Sequence, residues 1–351
     1  MNYLNVNIIF VVLIAALVVY LLYRLIQKQT QNAQKTGPQY TYNDAPTPQK
    51  KAELNSVTIT NPGSGIANFV QGPSSPYLRD YCIKSSSNSA FSGGYMNLEM
   101  IKYVLRRGCR FLDFDVFIKD DIPVVAYSND IIYDPSFNSF TSFDLPVSLD
   151  GVLSTIKANA FSDTSPNPKD PLFIHLKIKT NLNEGYKNIA KIVDGEIKEL
   201  LYQGQVTPTT YVSDLMEKII LIVDLSTSPT YANYPTCDIT EDSCYNLKKY
   251  VNLESGSDAL RIYSEHEITQ QTINPPDPGV YLMRIVYPSS NFVGITSNCD
   301  ALNLIQKYGA QFTAQAFYKP DSKLKVYEAM FSKHKSAFVP MAAAVRYIAS
   351  Q

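Results

Sequence analysis

Tryptophan is absent from the 351 residues, and histidine occurs only three times, at His175, His266 and His334. Imidazole acid–base chemistry therefore has few places to reside. Cysteine is nearly as scarce. Cys82, Cys109, Cys237, Cys244 and Cys299 show neither CxxC nor Cys/His zinc spacing, and an odd, sparse count is no disulfide framework. A bridge across the short loop CDITEDSC, from Cys237 to Cys244, stays open and would need an oxidising compartment. Excess charge is missing too: 31 basic against 32 acidic residues leave a net charge of −1. That gives no electrostatic footprint for nucleic acid and no general pull toward anionic membranes. No Ser-His-Asp order, GxSxG elbow, P-loop or GxGxxG fingerprint stands out, so nucleophilic hydrolase and nucleotide readings find no support.

Charge is also lacking from Met1 to Tyr23, where Ile8 to Tyr23 (IIFVVLIAALVVYLLY) is unbroken apolar sequence. This is close to the roughly 20 residues that cross a bilayer core, and only a helix satisfies its own backbone there. Residues 7–26 are therefore expected to form one transmembrane helix behind a short tail, 1–6. Tyr20 and Tyr23 suit an interfacial belt, and Arg24 and Lys28 can snorkel to the headgroups. A cleaved signal peptide is disfavoured by the missing basic n-region and small-residue cleavage site. Arg24, Lys28 and Lys35 follow the segment and no Lys or Arg precedes it, so the positive-inside rule places the large domain on the cytoplasmic side.

Residues 27–72 are rich in Gln, Asn, Thr, Pro and Gly without periodicity, which predicts a flexible polar linker carrying no core. From 73 to 351, short β-rich runs (CRFLDFDVF, PVVAYS, PLFIHLKIK, KIILIVDL, LRIYSE, YLMRIVYP, QFTAQAFY) alternate with amphipathic helical ones. Such alternation over about 270 residues predicts an α/β fold, a TIM-type (β/α)8 barrel, with a doubly wound sheet as the lesser alternative. Ser226 to Ser257 fits neither pattern and reads as an excursion loop.

In FLDFD the two-residue period puts Asp113 and Asp115 on one strand face. At the C-terminal end of a barrel strand the pair could hold a hard cation, with Asn88 offering a carbonyl oxygen. The competing reading has them capped by amides or salt-bridged to Arg106, Arg107 or Arg110. His175, inside PLFIHLKIK, is a weak candidate for catalysis, because a lone strand histidine is more often a satisfied lumen residue. His334 is expected in solvent and His266 in a loop.

The stretch YLRDYCIKSSSNSAFSGGYMNLEMIKYVLRRGCRFLDFDVFIKDDIPVVAYS resembles the X half of the phosphoinositide-specific phospholipase C barrel. MEKIILIVDL, RIYSE, RIVYPSS and YGAQFTAQAFYKPDSKLKVYEAMF resemble strands of its Y half. The resemblance covers roughly residues 75 to 335 and implies a phosphodiesterase that uses two histidines and a calcium ion. Carried over, the first histidine position holds Ser87 and the second Tyr127 or Ser128, so both acid–base groups are replaced. Asn88, Asp113 and Asp115 match metal positions, but Lys177 stands where the family has a fourth acid. An ammonium there supplies no ligand and can pair with the two acids, so no cofactor is expected and calcium is weakened. Arg284 and Tyr287 lie near the family's headgroup-contacting residues.

A compact barrel of this kind on a single N-terminal helix is similar to proteins of large cytoplasmic DNA viruses. The resemblance implies a degenerate, catalytically inactive, membrane-anchored form with protein partners, placed in a virion inner membrane. Two alternatives stand beside it: an active phosphoric diester hydrolase with relocated groups, and a phosphoinositide headgroup binder without turnover.

Overall fold

The computed structural model describes Tyr20 and residues 48–57, 65–70, 77–127, 146–180, 182–233, 244–270, 282–291 and 294–351. Eight parallel strands form the frame: β1 (Tyr81–Ser86), β2 (Phe111–Lys119), β5 (Leu172–Ile178), β6 (Ile219–Asp224), β7 (Leu253–Ser255), β8 (Leu260–Ser264), β9 (Met283–Tyr287) and β12 (Phe312–Gln315). Their order is β7-β6-β5-β2-β1-β12-β9-β8, and every neighbouring pair on this path is parallel. β7 and β8 share no ladder, but the Gly256 N–H donates to Leu260 O at 2.8 Å and draws the two ends of the path together. The result is a nearly closed barrel of the expected type.

A hairpin of β3 (Ile122–Val125) with the short β4 (Val147–Ser148) extends β2, and β13 (Phe338–Pro340) runs antiparallel to β1. β10 (Ser290–Asn291) and β11 (Gly294–Ile295) form a separate two-stranded ribbon. The helices are α1 (Pro48–Val57), α2 (Leu98–Arg106), α3 (Leu149–Ala160), α4 (Asn183–Ile197), α5 (Glu265–Thr269), α6 (Ala301–Tyr308), α7 (Ser322–His334) and α8 (Met341–Ala349). Their starts follow capping chemistry. Asn97, Ser148, Asp300 and Asp321 each accept a backbone N–H at the first turn of α2, α3, α6 and α7.

The lumen is filled by side chains at odd positions of β2 and β5. Phe111 packs on His175 and Phe312, and Phe173 on Phe312 and Phe338. The opposite face of β1 carries Lys84, fully buried against α7. Its ammonium donates to Arg107 O at 2.6 Å and to Glu328 Oε1 at 3.1 Å, and Arg107 chelates the same carboxylate. Glu328 is thereby held below the usual carboxylate range, the Lys84 charge and the Arg107 bonds outweighing its burial.

Several sequence expectations need correction. The described parts of 27–72 are built into the barrel domain: α1 contributes Val57 to the core, and Ile66 and Phe69 are buried at its base. Phe69 packs against Tyr81 and Phe338, and its N–H donates to Asp170. A polar composition concealed these contacts because single apolar residues and backbone bonds carry them. The excursion loop ends in a strand, β7, too short at three residues to show a period. His266 lies in the first turn of α5, and His334 is half-buried with Nδ1 2.9 Å from Met330 O.

The expected transmembrane helix falls outside the described residues except for Tyr20, which is helical. Among the described residues no helix is long and apolar enough to cross a membrane. Cys82, Cys109 and Cys299 are free and buried, whereas Cys244 is disulfide-bonded. Cys237 lies outside the described residues.

Candidate functional site at the barrel mouth

The turn after β1, strand β5 and the end of β9 bring Asn88, His175 and Tyr287 to Asp113 of β2, and Ser255 of β7 joins through His175. Parallel pairing sets Asp113 opposite His175 and Asp115 opposite Lys177, so four side chains of two strands face one another in the lumen. Lys177 Nζ lies 3.1 Å from Asp113 Oδ2 and 3.0 Å from Asp115 Oδ1, and Lys179 Nζ lies 3.2 Å from Asp115 Oδ2. Two acids thus meet two ammonium groups. None of Arg106, Arg107 and Arg110 makes these pairs. Arg107 serves Glu328, and Arg110 is spent on Ala160 O, Ser165 and Asn167 below the lumen.

Burial by itself would raise the Asp113 carboxyl. The Lys177 charge, the His175 hydrogen bond and the Asn88 N–H at 3.2 Å reverse that and hold it well below the usual range. Burial would likewise lower Lys177, but the two carboxylates drive it well above the ordinary lysine value.

A divalent cation does not fit this donor set. Calcium takes six to eight oxygens at about 2.3–2.6 Å, and here an ammonium already bridges the facing oxygens of both acids. Among the described residues no cluster of three or more His, Cys, Asp or Glu side chains is arranged for a metal. Asn88 does stand beside Asp113, in a left-handed turn with φ 45°.

His175 is fully buried and fully engaged. Nδ1 lies 2.8 Å from Asp113 Oδ1 and 2.9 Å from the Tyr287 hydroxyl, and Nε2 lies 2.7 Å from Ser255 Oγ. Asp113, His175 and Ser255 therefore form the Ser-His-Asp constellation that chain order did not suggest. Its serine has no exposed surface, so a reacting carbon or phosphorus cannot approach Oγ without the lumen opening. The geometry serves as a hydrogen-bond lock.

The two positions where the resemblance expects histidine are Ser87, buried on the first loop, and Tyr127. Tyr127 stacks on Phe91 with centroids 4.3 Å apart and planes at 3°, and Tyr318 meets Phe91 edge-on at 4.9 Å. Burial raises the Tyr127 hydroxyl above the ordinary phenol range, so near neutral pH it can donate a proton but is no base. Ser128 lies outside the described residues.

Tyr287 belongs to the site, donating to Asp113 Oδ1 at 3.0 Å. Arg284 does not. They stand three positions apart on β9, which puts them on opposite faces. The guanidinium passes Gly309 at the end of α6, and the Arg284 N–H donates to Gln311. Sequence reasoning missed Ser255, Lys179, Phe91 and Tyr318. Only Lys179 carried a signal, sharing the face of His175 and Lys177.

Comparison with known proteins agrees with this frame. Residues 74–224 match the family described as phosphatidylinositol-specific phospholipase C, X domain. No curated protein sequence matches the chain. Among solved structures, L. pealei PLC21 is 17% identical with TM-score 0.59, the similarity covering 77% of this chain and 38% of that one. S. officinalis PLC21 is 16% identical with TM-score 0.54 over the same shares. The Listeria monocytogenes phosphatidylinositol-specific phospholipase C is 14% identical with TM-score 0.46, over 82% of this chain and 98% of that one. The chain thus spans well under half the length of the two PLC21 proteins. Residues 74–224 thus resemble the X domain of the phosphatidylinositol-specific phospholipase C family, and the chain folds as a phospholipase-C-like barrel.

Proposed function

We propose that this chain is a pseudo-phospholipase, a phospholipase-C-like barrel that binds or scaffolds without hydrolysing phosphodiesters. The observation that carries the reading is the Lys177 ammonium on both Asp113 and Asp115. It takes the place of a metal, while Ser87 and Tyr127 stand where two groups titrating near neutrality are needed. Each such group contributes roughly 10²–10⁴-fold to rate. A phosphoinositide headgroup remains a ligand only through Tyr287, since Arg284 is buried on the opposite face of β9. Protein partners are the preferred ligands of the scaffold. The apolar segment 7–26 supplies the membrane anchor, and the viral resemblance supports a place in the inner membrane of a virus particle.

For orientation, the positive-inside rule favours the cytoplasmic side. The Cys244 disulfide is the observation that favours an oxidising compartment instead. Labelling intact membranes with an impermeant maleimide before and after reduction separates the two.

The test of turnover is phosphatidylinositol hydrolysis by the full chain in detergent, with calcium or with chelator, beside an Asp113→Ala/Asp115→Ala variant. No hydrolysis under either condition is expected. Hydrolysis that disappears in the variant would overturn the proposal in favour of a rebuilt active site.

A further inference from the structure

The loop from Ser87 to Asn97 joins β1 to α2 and forms one wall of the site. Asn88 and Ser89 are tied to Asp113: the Ser89 N–H donates to Asp113 O at 2.9 Å, and the Asp113 N–H to Ser89 Oγ at 3.0 Å. Phe91, two residues on, stacks on Tyr127, and the Phe91 N–H donates to Asn88 O at 2.8 Å. The far side of the loop is gripped by α1. Glu53 Oε1 accepts from Ser92 Oγ at 2.6 Å, from the Gly94 N–H at 2.8 Å and from the Tyr95 N–H at 3.2 Å. Asn97 Nδ2 adds a bond to Lys50 O at 3.2 Å. Successive N–H groups aimed at one carboxylate oxygen make an anion cradle. Gly93, at φ 123°, gives the backbone the turn this requires. Gly94 leaves room for the acid, because a Cβ there would lie 2.8 Å from Glu53 Oε2.

We propose that α1 is a strap: Glu53 fills a carboxylate cradle on the Ser92–Tyr95 turn and so holds the Phe91–Tyr127 stack closed beside Asp113. A ten-residue helix is marginal by itself in water, so α1 owes its order to this contact and to Leu54 and Val57 packed on the core. Its removal frees a loop whose inner residues line the site. The segment N-terminal to the barrel thereby reaches the mouth without entering it. The device works whether or not the site turns over a substrate, so its failure would leave the pseudo-enzyme reading untouched.

Amide hydrogen exchange on the full chain in detergent tests it, with Glu53→Ala and Gly94→Ala as variants that break the contact from opposite sides. Glu184→Ala, on an exposed face of α4, is the control. Both test variants are expected to speed exchange at residues 92–95 by about 10-fold or more, because a charge-assisted bond to the loop is lost and local opening becomes easier. The faster exchange should extend to residues 88–91, and circular dichroism should report an intact barrel. Faster exchange confined to 92–95, or exchange unchanged in both variants, would overturn the strap. Should Gly94→Ala unfold the chain, Glu53→Gln takes its place. Keeping an acceptor oxygen without the charge, it should fall between wild type and Glu53→Ala.

Discussion

Lys177 Nζ lies 3.0 Å from Asp115 Oδ1, and the two residues are register partners across the β2–β5 pairing. The ladder itself delivers the ammonium to the carboxylate, and the second contact, to Asp113 at 3.1 Å, follows from the two-residue period. Removing Lys177 takes away the one ammonium that bridges the two buried carboxylates, Lys179 still pairing with Asp115. Breaking one partner of a buried ion pair costs about 3–5 kcal/mol, so Lys177→Met should lower stability by that amount in denaturant unfolding. Lys177→Glu should be equally unstable in chelator and regain part of the loss with millimolar calcium, which three acids can bind. Wild-type stability should be the same with calcium and with chelator. A calcium-dependent rise in wild-type melting temperature would show that the ammonium does not occupy the cation position.

The buried ion pairs around Asp113 and Glu328 set a pH window. Asp113 and Glu328 are both depressed in the fold, so their stabilisation is present above their unfolded values and is lost as pH falls through the folded ones. Lys177 is raised, so its contribution is full below the unfolded lysine value and is lost only as pH rises through the folded one. Stability should therefore be flat from roughly pH 5 to 10 and fall below about pH 4. Urea midpoints measured across that range check it. Asp113→Asn should soften the acid limb, and an unchanged limb would remove Asp113 from the account.

Much of this was readable in advance, and the misses share a cause. The strands β2, β5, β6 and β9 declare themselves by alternating or continuous apolar residues, and helices α2, α3 and α6 by spacing and caps. Strand parity alone places Asp113 and Asp115 together, and it also separates Arg284 from Tyr287, so that pairing was avoidable. Ser255 was not legible. β7 is three residues long, and its role depends on a histidine 80 positions away. Nor was α1, whose hold on the barrel rests on one carboxylate, a backbone turn and two apolar residues, Leu54 and Val57, rather than on a continuous hydrophobic face.

The buried triad of Lys84, Arg107 and Glu328 lies outside the lumen and binds α7 to β1 and to the end of α2. Glu328→Ala strands two cations, one of them fully buried, and should cost about 3–5 kcal/mol. Replacing Lys84 and Glu328 together by Met and Leu should cost less than Glu328→Ala alone, because no charge in that pair is then left uncompensated. Equal losses would mean that packing volume, rather than charge pairing, decides stability there.

The absence of tryptophan makes one substitution a clean reporter of the site. Tyr127→Trp introduces the sole indole of the chain at a position 8% exposed. Its larger ring costs about 1–3 kcal/mol if the surroundings cannot adjust, a loss that thermal unfolding will measure. Stacked on Phe91, the indole should emit at short wavelength and resist acrylamide. Adding Phe91→Ala removes its partner, and quenching should rise several-fold as water reaches the ring. Glu53→Ala in the same background should do so to a smaller degree, since it loosens the loop without deleting the ring. An indole that is freely quenched in the Tyr127→Trp protein would mean that the aromatic stack does not close the wall of the site. The Ser87 and Tyr127 positions would then be open to ligand, and the choice between scaffold and headgroup binder would turn on what enters there.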